Sequence, residues 1–190
     1  SGVSARMPIT FLETVTSAAE RRALINGESE AVVRVCDLFT SIPAITGKVE
    51  LVYRGEQEGI SNVAQFLIGK AIKEAFNQRF VPNYRPGREQ KYSFPRFQTI
   101  VNWFESNNTL ELSDDMPQSE YVRALRAVAG LEDVVRSELK PESEGDLAAA
   151  MEFVVEGLHQ NYLITKAILT GGKVSYTDTV SHMMGQLDDE

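Results

Sequence analysis

The chain is poor in the residues that build most recognisable sites. It has one cysteine, Cys36, so no internal disulfide can form and no thiolate metal cluster can be assembled. A reducing cytoplasm is the expected compartment. Only two histidines occur, His159 and His182, and neither has a His or Cys partner at ligand spacing. Long apolar runs are missing too: nothing approaches the roughly 18 residues of a membrane span. The opening stretch "TFLETVTSAAERRALI" is interrupted by Glu13, Glu20, Arg21 and Arg22 before a signal-peptide core could form. Positive charge is in deficit, with 19 Lys and Arg against 27 Asp and Glu. A net charge of −8 argues against a general nucleic-acid binder, whose affinity would rest on Lys and Arg.

What remains reads as an ordinary globular composition, 190 residues that suffice for one good core or two small ones. Most of it has helical periodicity. Thr10 and Glu13 fit a capping box, Leu12, Val15, Ala19 and Ala23 share a face, and Asn26-Gly27 supplies a stop. A shorter helix is expected over Ala31–Thr40. The next follows Gly59-Ile60-Ser61, with Val63, Phe66, Leu67, the stem of Lys70, Ala71, Ile72 and Phe76 as its apolar stripe. It should stop near Phe80, since Pro82 disfavours a helical residue before it.

Further helices are expected near Phe94–Phe104, Pro117–Ala129, Glu132–Leu139 and Gly145–Thr165. The last of these carries Leu147, Met151, Val154, Leu158 and Tyr162 at three/four spacing, and Gly171-Gly172 ends the region. A final helix is expected over Thr177–Leu187. Two segments alternate like strands, Val49–Tyr53 and Thr109–Leu112. Each needs a partner for its backbone groups, so they are expected to pair antiparallel. Residues 81–93, "VPNYRPGREQKYS", form a Pro/Gly-rich loop. It divides the chain into a helical region 1–80, a linker 81–93 and a C-terminal helical extension 94–190, the two helical parts packing as one unit if the strands pair.

Each candidate for chemistry has a plainer explanation. "AITGKV", "LIGKAI" and "TGGKVS" suggest phosphate loops, but the position five residues before each Gly-Lys glycine holds Ile42, Ala64 or Ala167. Val49, Ala71 or Val174 follows the lysine where a magnesium-binding hydroxyl is needed. No Walker A loop is present, so the chain should not hydrolyse ATP alone. His159 lies beside an apolar stripe and reads as a structural histidine. Asp114, Asp115 and Glu120 surround Pro117 and suit a helix start better than a magnesium site. Cys36 reads as a small buried residue. The 79–96 segment interleaves Arg79, Arg85, Arg88, Lys91 and Arg96 with Phe80, Tyr84, Tyr92 and Phe94. Such a pattern can hold single-stranded nucleic acid, but without a surrounding motif it suits a solvated loop or a contact to an acidic protein better.

"SGVSARMPI" leading into a helix resembles the sensor-2 segment of AAA+ ATPases of the magnesium-chelatase-like group. "SIPAITGKVELVYRGEQEG", "LELSDDMPQSEY" and "EFVVEGLHQN" resemble the C-terminal portion of the same proteins, so the likeness extends over essentially the whole chain. It implies a mainly α fold: an AAA+ lid-like helical bundle plus a helical extension, with one small antiparallel strand pair. It also implies a C-terminal region that is not itself catalytic and serves nucleotide sensing, ring assembly and partner contact. Arg6 would be the sensor-2 arginine reaching the γ-phosphate of ATP, where a planar guanidinium suits the oxygens. ATP and magnesium would belong to the parent protein and be bound by an upstream core with Walker motifs. The implied partners are that core, further copies in a ring, and a von Willebrand A-type protein; clients of such ATPases are often proteins rather than porphyrins. The alternative from the residues alone is a non-enzymatic helical interaction module.

Overall fold

The structure is a computed structural model that describes residues 6–46, 57–86 and 93–179. The architecture is mainly helical with a small three-stranded antiparallel sheet. The chain divides into two compact units, Ser1–Ala71 and Ile72–Glu190. The division falls inside a helix, ahead of the 81–93 loop that Pro and Gly content singles out.

The first unit holds α1 (Met7–Asn26), α2 (Val35–Thr40), α3 (Ile42–Thr46) and the first part of α4 (Gln57–Phe80). The α1 helix begins one turn before the expected capping box. Pro8 occupies its first turn, where a missing N–H costs nothing, and the Thr10 amide donates to the Arg6 carbonyl at 3.1 Å. Thr10 is therefore a helix-interior residue, and the capping box is not formed. The expected stop is in place: Gly27 adopts φ 66°, and the amides of Gly27 and Glu28 cap the carbonyls of Leu24 and Ala23. Val15, Ala19 and Ala23 are buried as the sequence suggests, and α1 packs on α2 and α3. Leu12 departs from that face and is 67% exposed.

The stripe expected on α4 is also corrected. Its buried line is Ala64, Ile68, Ile72, Phe76 and Phe80, spaced strictly by four, whereas Val63, Phe66 and Leu67 face solvent. Ile72 and Phe76 of the expected stripe are on this line, while Val63, Phe66, Leu67 and Ala71 are not. The helix ends at Phe80, ahead of Pro82, as expected.

The second unit continues through a 3₁₀ turn (Pro95–Phe97), α5 (Gln98–Glu105), β1 (Leu110–Ser113), α6 (Gln118–Arg126), α7 (Leu131–Leu139), α8 (Glu144–Gln160), β2 (Thr165–Ile168) and β3 (Lys173–Thr177). The α8 helix is its axis and packs against α6 and α7. Leu147, Ala148, Met151, Val154, Val155 and Leu158 are buried along it, too wide an apolar arc for a surface helix. Phe76, Phe80 and Phe97 form an aromatic cluster, with Phe80 edge-on to Phe97 at 5.1 Å between centroids. Phe76 nests on α8 at Gly157, where an added Cβ would lie 2.1 Å from its ring.

Two expectations fail at the end of α8. The helix stops at Gln160 instead of reaching Thr165, because Tyr162 turns left-handed (φ 62°). Its amide caps the His159 carbonyl at 2.8 Å, and that of Leu163 caps Leu158 at 3.0 Å. Tyr162, placed on the stripe by its spacing, is 81% exposed. The chain then forms the hairpin β2–β3, so Gly171-Gly172 is its turn rather than the end of a helical region. The Thr109–Leu112 strand exists as β1 but pairs with β3, Leu110 opposite Tyr176 and Leu112 opposite Val174. The sheet order is β1-β3-β2, with one strand more than the expected pair. The expected strand Val49–Tyr53 lies outside the described residues, as does nearly all of the expected helix Thr177–Leu187; Thr177 itself ends β3.

Candidate functional site

Arg6, the one residue singled out for nucleotide contact, occupies the N-cap position of α1 and is exposed. Ile9 and Leu12, the large apolar residues one and two turns further on, are exposed as well. The head of α1 therefore presents a guanidinium beside apolar surface. Less than a turn after Leu12, α1 buries Val15, and further along Ala19, Arg22 and Ala23.

Arg22 is not the surface cation that its place after Glu20 and Arg21 suggests. Its guanidinium holds Asp37 of α2 bidentately, with Nη1 2.6 Å from Oδ1 and Nη2 2.9 Å from Oδ2, and Nη2 also donates to the Val32 carbonyl at 2.7 Å. Asp37 in turn accepts the Arg34 amide at 2.8 Å. Both members of the pair are buried, so the contact joins α1 to α2 as a charge-assisted hinge pin. Cys36 sits half-buried beside it, its Sγ 3.9 Å from an Arg22 nitrogen.

The other sequence candidates are scattered. Gly69-Lys70 lies in mid-helix on α4, and Gly172-Lys173 forms the end of the hairpin turn; the first Gly-Lys pair lies outside the described residues. Asp114 meets the turn through its amide, which donates to the Gly172 carbonyl at 3.1 Å, while Asp115 accepts from the Ser113 hydroxyl. Glu120 stands in the first turn of α6, opposite the helix's positive end. Among the described residues no group of three or more His, Cys, Asp or Glu side chains could hold a metal ion. Of the basic loop, Arg96 pairs with Glu138 at 2.8 Å and Arg79 donates to the Glu138 carbonyl, so both cations tie down α7; residues 87–92 lie outside the described range. His182 lies outside it too.

Sequence reasoning missed a buried polar cluster on α8. Glu152 and Glu156, one turn apart, are both buried. The Tyr121 hydroxyl of α6 donates to Glu152 Oε2 at 2.6 Å. Glu156 Oε2 accepts both the Tyr176 hydroxyl of β3 (2.6 Å) and Lys166 Nζ of β2 (2.9 Å), and Gln160 reaches Oε1 at 2.9 Å. Burial alone would raise the Glu156 pKa. The Lys166 charge and hydrogen bond, with those from Tyr176 and Gln160, outweigh it and hold the carboxyl below its ordinary range. Burial and the two nearby carboxylates push the Tyr176 phenol well up. His159, half-buried with Nδ1 3.3 Å from the Ile164 carbonyl, is shifted down, mainly by burial. The signal was in the sequence: two glutamates at a four-residue interval inside the apolar arc of α8. Sheet and helices are joined by this cluster, and its donors and acceptors are matched as a structural core would require.

Comparison with protein-family models, with curated proteins and with solved structures finds no match to the chain.

Proposed function

We propose that the chain is the non-catalytic C-terminal region of a magnesium-chelatase-like AAA+ ATPase, contributing nucleotide sensing, ring assembly and partner contact in the cytoplasm. The observation that supports this reading is the head of α1, where exposed Arg6 adjoins exposed Ile9 and Leu12. A lid that brings an arginine to a phosphate must also pack on the body that holds the nucleotide, and it needs this combination of cation and apolar surface. On this reading ATP and magnesium are held by that body, while this region shares in the ring contacts and in contact with a von Willebrand A-type partner. No helix among the described residues is long and apolar enough to cross a membrane.

The test is an ATPase assay on a chain extended upstream along its reading frame. Arg6→Ala should lower turnover about tenfold or more, because the lost contact matters most as charge develops on the transferred phosphoryl group. The matched control is Arg21→Ala on the exposed side of α1, since Arg22 has a structural partner. Equal effects of the two, or an upstream frame without a Walker A loop, would overturn the reading. A stand-alone interaction module is the second reading, favoured by the exposed row Val63, Phe66 and Leu67 on α4. It expects partner binding that depends on this row and is indifferent to Arg6.

A further inference from the structure

The strand β2 is attached to the second unit very differently from its neighbours in the sheet. Both β1 and β3 insert side chains into the core: Leu110 and Leu112 from the first, Tyr176 from the second. None of the β2 residues is fully buried, and Ile168 is 73% exposed. Beyond its ladder with β3, β2 is tied to the helical layer by Lys166 Nζ on Glu156 Oε2, with the ammonium 5.5 Å over the Tyr176 ring. Left-handed residues stand at both ends of the strand. Tyr162 holds φ 62°, a left-handed conformation that is strained for a bulky L-residue. Gly171 holds φ 72° with open space around it. Between Tyr162 and β2, Ile164 is buried and anchors the root.

We propose that β2 is a releasable edge strand, with the Lys166–Glu156 ion pair as its catch, the buried Ile164 as its fixed root and the turn at Gly171 as its hinge. Release separates β2 from β3 and gives water access to Glu156. The groups facing the catch are Tyr176 from β3, Gln160, His159 and Glu152 from α8, and Tyr121 from α6 next to Glu152. With the ammonium removed, Glu156 keeps a buried charge only while β2 covers it, so loss of the lysine favours the open form.

The experiment is amide hydrogen exchange followed residue by residue on the full chain at neutral pH. In the unaltered protein, the β2 amides bonded to β3 should exchange faster than those of α8, through an opening with little urea dependence. Lys166→Met, which keeps the apolar stem, should raise the β2 rates about tenfold or more, with β2 still exchanging ahead of α8 and with the smaller urea dependence. Exchange of β2 and α8 in step, with the same urea dependence, would show that the strand leaves only on global unfolding and would overturn the proposal. So would β2 rates unmoved by Lys166→Met. If that variant does not fold, the urea dependence in the unaltered protein decides alone.

Discussion

The two units solve the burial problem in opposite ways. In the second, Phe97, Ile100, Phe104, Leu125, Leu131, Leu147, Met151 and Leu158 are wholly buried in one continuous cluster. In the first, the buried apolar set is small residues for the most part, Val15, Ala19, Ala23, Val35 and Ala64 among them. Ile9, Leu12, Leu24, Ile25, Val63, Phe66 and Leu67 are left in solvent, and an arginine–aspartate pair lies inside. A unit that exposes most of its large described side chains and holds an arginine–aspartate pair inside leans less on hydrophobic closure than on one directional contact. It also keeps apolar surface available for association.

The sharpest way to break this contrast is to truncate one phenylalanine in each unit. Phe104→Ala should cost about 3–5 kcal/mol in chemical denaturation, since a wholly buried ring leaves a cavity behind. Phe66→Ala, at 68% exposure, should stay within about 0.5 kcal/mol. Comparable losses would mean that Phe66 is covered in solution and that the contrast is false.

Arg22→Ala comes next. It strands Asp37 in the interior of the first unit and should destabilise α1 and α2 by about 3 kcal/mol, read from amide exchange in those helices. Arg21→Ala should leave the same amides unchanged, as expected of an exposed charge.

Acid should act on the second unit in two stages. His159 and Glu156 both have folded-state pKa values below their ordinary 6.5 and 4.5, so each stabilises the fold above its ordinary value. Each contribution is lost as pH falls through the folded value, because unfolding then takes up a proton. The first decline therefore begins below about pH 6.5 and the second below about pH 4.5. His159→Gln should flatten the first and Glu156→Gln the second in a series of denaturation curves against pH. A profile unchanged by both substitutions would remove these groups from the account.

The smallest effect is expected at Tyr162. Glycine there relieves the left-handed strain but gives up the contact of Lys73 over the ring at 4.8 Å, so Tyr162→Gly should raise stability by only about 0.5 kcal/mol. A loss of stability would show that the ring contact outweighs the strain.

Helix existence was legible almost throughout, because Asn26-Gly27, Pro82 and Pro117 mark ends by local chemistry that tertiary packing does not overrule. Faces were legible only in part. On α4 two apolar lines compete, and the one chosen by packing consists of the four-spaced set from Ala64 to Phe80. The hairpin was missed because "LITKAIL" continues the apolar pattern of α8. The left-handed turn that separates them sits at Tyr162, a residue with no glycine-like signature. The buried cluster was missed for a related reason: its members come from α6, α8, β2 and β3, and only the two glutamates are near in sequence. Arg6 is exposed at the N-cap of α1, next to the helix start that Pro8 marks.

Gly157 acts as the index mark of the second unit. Because Phe76 seats against the bare backbone at that one point, α8 can neither rotate nor slide along α4 without driving a side chain into the ring. A shift of one residue would turn the helix by roughly 100° and bring Glu156 or Leu158 to the position that now has no side chain. The same contact that packs an aromatic ring thus sets the clock angle at which Glu156, about 100° around the helix, meets Lys166 and Tyr176, and a methyl group added at 157 would press on the Phe76 ring and be passed to the hairpin through the turned helix.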